Sequence, residues 1–455
     1  SIPPEYPTEV AVYEQSTNKG AIIAFIIVFF LVVLGLVYWF FFRGPSPSTP
    51  PTTTKEPVTL SYWGLWDDAS IVQPIIEEYQ KANPHVTIAY EKMSPESYIE
   101  RLIARSKTGN GPDIFRYHNT WLPEIQEVVS PLPADIMTNA QFEQTFYPIH
   151  AKDLKIGENY YGIPLMIDGM VLVYNNAILK QAGIQDPPAV WLGDNNDVLT
   201  VAAETTVREP NGEIITSGMA IGTATNIPHF GELYSILLLL NGGDFNDLST
   251  TEAAEALELY RSFAEDGNWS SDMPNAIPGF AQGKVGMIVV PSWQILNIQA
   301  ENPNLDMGVA PIPSGLDGTR ASIASYWVEG VNRLNPNQAE AWKFLSFLSS
   351  REQLTKLYEI QSKTRIFGNP YPRQDMADLL INDKYLGAVI KQAKDDVYVT
   401  LPVAALTQDA GLNDEILQYL ENAINSTIEG VEYSSALQTA QSGISQVMTR
   451  YEIER

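Results

Sequence analysis

Few residues of this chain suit covalent chemistry. It contains no cysteine, which removes thiolate nucleophiles, disulfides, Cys-type zinc sites and a lipid-modified cysteine anchor. Its four histidines, His85, His118, His150 and His229, have no metal-ligand spacing such as H-E-x-x-H, and no nucleophile motif stands out. Carboxylates are plentiful, 54 of 455 residues, so some pair fit for glycoside hydrolysis will always be found. Yet no motif singles one out, and no cofactor, metal or catalytic residue is expected. The other resource is aromatic. Tryptophan buries a large flat apolar area at little entropic cost, so it serves as core material or as a stacking surface for a small ligand. Several of the nine tryptophans sit at strand ends: Trp63 and Trp66 around the end of VTLSYW, Trp121 after DIFRY, Trp293 after VGMIVV, and Trp327 in ASYWVEGV.

A formal charge of −26 argues against nucleic acid as a partner, because phosphate backbones are held by clustered Lys and Arg. Its plainer meaning is solubility. At 455 residues the chain exceeds what one core usually supports, so two domains or lobes are expected.

The elements that must position these residues begin with an anchor. From Ala21 to Phe42 runs AIIAFIIVFFLVVLGLVYWFFF without a charge, and a helix of that length rises about 30 Å, enough to span the hydrocarbon of a bilayer. Arg43, Gly44 and Pro45 follow in place of a small-residue cleavage site, and Tyr38 and Trp39 suit the membrane interface. Residues 21–43 therefore read as a transmembrane helix in contact with the lipid bilayer. Lys19 before it and Arg43 and Lys55 after it leave the orientation open. Residues 44–57, GPSPSTPPTTTKEP, read as an extended Pro/Ser/Thr-rich stalk.

Beyond the stalk, strands alternate with helices. VTLSYW from Val58 precedes a helix from about Asp68 to Ala82, VTIAY from Val86 precedes a helix capped by Ser94, and Asp113 to Tyr117 is a third strand. That alternation implies a mostly parallel α/β sheet. LKIGENYYGIP reads as a hairpin, VLVYN, VGMIVV, MGVAPIP and ASIASYWVEGV as further strands, and the C-terminal region as helical.

In order and spacing, GPDIFRYHNTW, YGIPLMIDGMVLVYNN, FAQGKVGMIVVPSW, LDMGVAPIP, ASYWVEGVN and EAWKFLSFLSS resemble the family 1 extracellular solute-binding proteins, the sugar-binding proteins of ABC importers that include maltose-binding protein. The resemblance covers residues 58–455. It implies a two-lobed, periplasmic-binding-protein-like type II fold with a central cleft, here preceded by one transmembrane helix. Lobe 1 is expected over about 58–166 and 292–327, and lobe 2 over about 170–290 and 331–455. Crossings, each a hinge candidate, are expected near Ile163–Asp168, Val290–Trp293 and Tyr326–Val331. An outside-facing C-terminal domain follows, with residues 1–20 cytoplasmic, as does delivery of a carbohydrate to ABC permease subunits. The rival readings are a non-transporting surface receptor and, more remotely, a glycosidase.

The resemblance also ranks the residues. Trp66, Trp293, Trp327 and Tyr326 stand at loop or crossing positions and are expected at the ligand, with Trp63 a further candidate. Asp168 lies in the first crossing, where relatives place a carboxylate for sugar hydroxyls; the alternative is a hinge cap bonded to local backbone. Asp67 and Asn119 occupy loops that face the cleft in relatives or cap the following helices. His229 and Glu232 begin a helix that points at the cleft in the family, and Arg365 belongs to a loop that reaches it or stays in solvent.

Overall fold

The apolar runs that read as strands do pair, but into two separate five-stranded sheets. The structure is a computed structural model that describes residues 19–42, 56–193, 196–408 and 410–453. The expected cytoplasmic segment before Lys19, Arg43 at the end of the expected anchor, and the stalk up to Lys55 lie outside the described residues. The chain divides into two units, Ser1–Glu56 and Pro57–Arg455.

In the first unit, Lys19–Phe42 is one uninterrupted helix, apolar on every side, and Ile23–Phe41 meets the length and composition needed to cross a membrane.

In the second unit, the first sheet runs Val86–Lys92, Val58–Gly64, Ile114–His118, Trp327–Val331, Ile163–Pro164. Its first three strands are joined through the helices Ala69–Ala82 and Tyr98–Lys107 and are parallel, as crossover connections require. Trp327–Val331 arrives from the other sheet and runs antiparallel to both of its neighbours, so the sheet is mixed where a mostly parallel one was expected. The second sheet runs Met307–Ala310, Met170–Asn175, Val285–Pro291, Ile214–Met219, Val207–Arg208. Val285–Pro291 is buried at every residue, which suits a central strand covered on both faces.

The chain passes between sheets after Pro164 and returns before Trp327. At the passage, Ser322–Ile323 pairs with Tyr398–Val399, and Gly169 bridges Ala324, so three crossing segments lie side by side. They pack closely. A Cβ on Gly169 would run into the Tyr398 ring and the Ile323 carbonyl.

The expected lobe boundaries need correction in the C-terminal half. No sheet-to-sheet crossing occurs near Val290–Trp293: after Val285–Pro291 the chain forms the helix Gln294–Glu301 and then Met307–Ala310, which pairs with Met170–Asn175 in the second sheet. Stretch 292–327 is thus mostly a second-sheet element. Conversely, the helices Gln338–Leu348 and Arg351–Gln361, assigned to the second lobe, return to the first. Gln353 and Lys356 both bind Glu78 on the helix Ala69–Ala82. The helix expected to begin at Ser94 begins at Tyr98. ASIASYWVEGV is split by the crossing into Ser322–Ile323 and Trp327–Val331. The antiparallel pair Val207–Arg208 and Ile214–Met219 went unread, although Pro210-Asn211-Gly212 between them is a turn signal, and Gly212 takes the left-handed φ of 91° that such turns need.

Candidate functional site

Strand ends from both sheets converge on a cavity of 440 Å³, within the range of roughly 300–1,000 Å³ typical of small-molecule sites. Trp66 stands two residues beyond Val58–Gly64, and Trp327 pairs with His118 at the carboxyl end of Ile114–His118, so the first sheet presents its carboxyl edge, where ligands of α/β sheets usually bind. Trp293 comes from the other lobe, immediately before the helix Gln294–Glu301. Met166 and Ser325 supply the floor from the crossing segments.

The first-lobe aromatics hold one another edge to face. Ring centroids of Trp66 and Trp327 are 5.4 Å apart at 62°, and Trp327 meets Trp121 at 5.2 Å and His118 at 5.1 Å. Such contacts lock a ring's tilt and leave part of its face free. Trp66 is 43% exposed and has a φ of 68°, a left-handed conformation disfavoured for a large side chain, so its placement in the cleft is maintained against backbone preference. Across the cleft, Trp293 rests on the His229 ring at 6.3 Å.

Charge beneath the first-lobe wall is arranged around Arg116, buried mid-strand. It donates to Glu329 Oε1 at 2.7 Å, Asp67 Oδ2 at 2.9 Å and the Leu65 carbonyl at 2.9 Å. Gln361 donates to the other Asp67 oxygen at 3.0 Å. Burial raises the Glu329 carboxyl, and Arg116 opposes that shift. Asp67 lines the cavity while committed to this network; Asp68 is the residue that precedes the helix. His118, its pKa pushed down to about 3 by burial, is neutral: Thr120 N–H donates to Nδ1, which leaves Nε2–H to donate to Ser325 Oγ at 3.1 Å. Arg365 reaches the cleft, its pKa lowered by partial burial.

Five of the expected residues therefore line the cavity: Trp66, Asp67, Trp293, Trp327 and Arg365. The others do not. Trp63 is core, packed on Tyr98 with Arg105 over its ring, because its side chain points to the opposite face of the strand end. Asp168 is fully buried and its carboxylate is spent on the backbone N–H groups of Gly169, Ser292 and Trp293, the hinge-cap alternative. Asn119 and Tyr326 join a strut behind the cleft. Asn119 donates to Asp153 at 3.2 Å and Thr400 at 3.0 Å, and the Tyr326 hydroxyl donates to Asp153 at 2.6 Å. His229 and Glu232 are buried and bonded to each other at 3.0 Å; they support Trp293 and, through Glu232, the Ala405 N–H.

Sequence reasoning missed the loop Ala405–Gln408, which closes one side of the cavity. It also missed Arg116, for which a signal existed: a lone cation inside the apolar DIFRY strand has to be paired when buried.

A family model for bacterial extracellular solute-binding proteins matches residues 64–355, well over half of the chain. The chain belongs to that family. Among relatives of this solute-binding protein, a Brucella abortus chain named only as a binding protein is 28% identical over 297 residues, 62% of this chain and 70% of the relative. The maltotriose-binding protein of Pyrococcus abyssi is 24% identical over 309 residues, 64% of this chain and 62% of the relative. The solved sugar-binding protein of Xanthomonas citri superposes with a TM-score of 0.71 at 18% identity, covering 87% of this chain and 98% of that one. A cyclo/maltodextrin-binding protein complexed with maltotetraose gives 0.69 at 17% identity, over 87% and 98%. At those identities the structural matches establish the two-lobed fold.

Proposed function

We propose that this solute-binding protein captures a carbohydrate at the outer surface of a cell membrane, held there by Lys19–Phe42, and delivers it unchanged to the permease subunits of an ABC importer. One observation carries the reading. Trp66, Trp293 and Trp327, from segments far apart in sequence, line one cavity beside the crossing segments, which is where flat apolar sugar faces would be gripped by lobe closure. The names of the relatives support a saccharide. The cleft residues are proposed as ligand contacts, Trp293 foremost.

The test is a thermal-shift and calorimetric screen of the full chain in detergent against a saccharide library, because a ligand that binds only the folded state raises the melting temperature by mass action. At least one saccharide is expected to bind and to be recovered intact after long incubation. No shift with any saccharide would overturn the reading, and multiple-turnover hydrolysis would replace it with a glycosidase. For the anchor, protease added to intact cells is expected to cut within residues 44–57 and release the C-terminal unit; full protection would reverse the topology.

A further inference from the structure

Among the described residues that line the cleft, one full charge makes no direct ion pair, although Asp67 on the same wall favours it at longer range. Arg365 Nε donates to the Phe367 carbonyl at 3.0 Å and Nη2 to Asn369 Oδ1 at 2.6 Å, and no described carboxylate lies within 4.0 Å of the guanidinium. A guanidinium has five N–H donors, so three are uncommitted. Asp67 on the same wall does not neutralise it by contact, since its two oxygens accept from Gln361 and Arg116.

The loop Ala405–Gln408 adds an independent observation. Ala405 N–H is spent on Glu232 at 2.8 Å, but the backbone N–H groups of Leu406, Thr407 and Gln408 donate to no described residue. Leu406 and Gln408 are left-handed, at φ 63° and 57°. Left-handed residues interleaved in a turn aim successive N–H groups to one side and create a concavity suited to an anion. This loop and Arg365 line the same cavity.

A neutral sugar presents hydroxyls that both donate and accept, and it is best met by a balance of carboxylates and amides. This cleft offers a cation beside a loop whose amides have no described acceptor, while its one described carboxylate is already held. We infer that the ligand is an anionic saccharide, a sugar acid or a sugar phosphate, with its anionic group against Arg365 and the amides of 406–408. The inference rests on the carbohydrate reading of the cleft. With a net charge of −26 the protein repels an anion at long range, so the attraction has to come from these local donors inside the screening length of roughly 8–10 Å.

Calorimetry on the full chain with matched sets decides it: neutral mono- and disaccharides, their uronate counterparts and their phosphate esters, glucose, glucuronate and glucose 6-phosphate among them. An anionic member is expected to bind at least tenfold more tightly than its neutral counterpart, and the uronate and phosphate arms separate the two sources of charge. Arg365→Gln is expected to cut that preference below threefold, whereas Arg365→Lys, which keeps the charge, retains part of it. Melting curves of both variants verify folding. Equal or tighter binding of the neutral members, or a preference untouched by Arg365→Gln, overturns the inference and leaves the carbohydrate reading intact. Failure of every anionic member while a neutral saccharide of the wider library binds overturns the inference alone, and failure of the whole library overturns both.

Discussion

Asp168 and Trp293, 125 positions apart in sequence, are joined at the back of the cleft, where the aspartate Oδ2 accepts the tryptophan backbone N–H at 3.2 Å. Its Oδ1 accepts from Ser292 N–H at 3.1 Å and Gly169 N–H at 2.7 Å. One carboxylate thus ties the first crossing to the start of the helix Gln294–Glu301 and sets where the Trp293 ring stands. It is a positioning residue.

Its titration follows from burial. Burial pushes the Asp168 carboxyl up to about 7 from its ordinary 3.8, against the hydrogen bonds from Gly169, Ser292 and Trp293 that favour its charge. A carboxyl raised in the fold holds its proton more tightly there, so its stabilising contribution is complete below about pH 4 and is lost as pH climbs to about 7. Burial raises Asp153 as well, to about 6, so its loss ends about one unit lower. Melts of Asp168→Asn across pH 4–8 are expected to lack the part of the decline that the native chain shows between pH 6 and 7. An identical profile would contradict a titrating Asp168.

Trp293→Ala is expected to weaken saccharide binding by roughly thirtyfold to a hundredfold, from about 2–3 kcal/mol of lost stacking and buried area. The ring is partly exposed at a helix start, so the melting temperature should barely move. Normal affinity with a collapsed melt would place the ring in the core.

Trp63 and Trp66 stand three residues apart and should behave oppositely. Trp63→Ala leaves a cavity in the core beside Tyr98 and is expected to cost about 3–5 kcal/mol of stability with little change in affinity. Trp66→Gly relieves a left-handed φ, worth about 1–3 kcal/mol, so its melt should stay near native while affinity falls. Paired denaturation and titration experiments read both quantities, and matching behaviour of the two variants would refute the assignment.

Arg116→Met is expected to destabilise the fold by about 3–5 kcal/mol, because it strands the Glu329 and Asp67 carboxylates in a buried site. Adding Glu329→Gln should recover part of that loss. Urea unfolding of the two single variants and the double variant measures it, and additive losses would show that Arg116 and Glu329 are not coupled.

The sequence by itself determined what depends on neighbours along the chain. The apolar run Ala21–Phe42 makes a helix whatever surrounds it, the period of VTLSYW, VTIAY and VGMIVV makes strands, and Pro291 before Trp293 ends one. Trp66 could be chosen from its place after a strand, whereas Trp293 and Trp327 were drawn from crossings that the resemblance implied, and the one expected at Trp293 is absent. Tertiary structure decided what depends on partners far away. Asp168 has the same neighbours whether it binds ligand or backbone; the arrival of Ser292 and Trp293 makes the choice. Asn119 and Tyr326 were drawn from the cleft by Asp153, which no local pattern connects to either. The lobe membership of Met307–Ala310 and of the helices Gln338–Leu348 and Arg351–Gln361 hangs on which sheet each packs against, since the residues of an amphipathic helix or an edge strand fit either. The loop 405–408 carries no glycine to announce its left-handed turns, and only its packing on Glu232 and its place on the cavity wall reveal them.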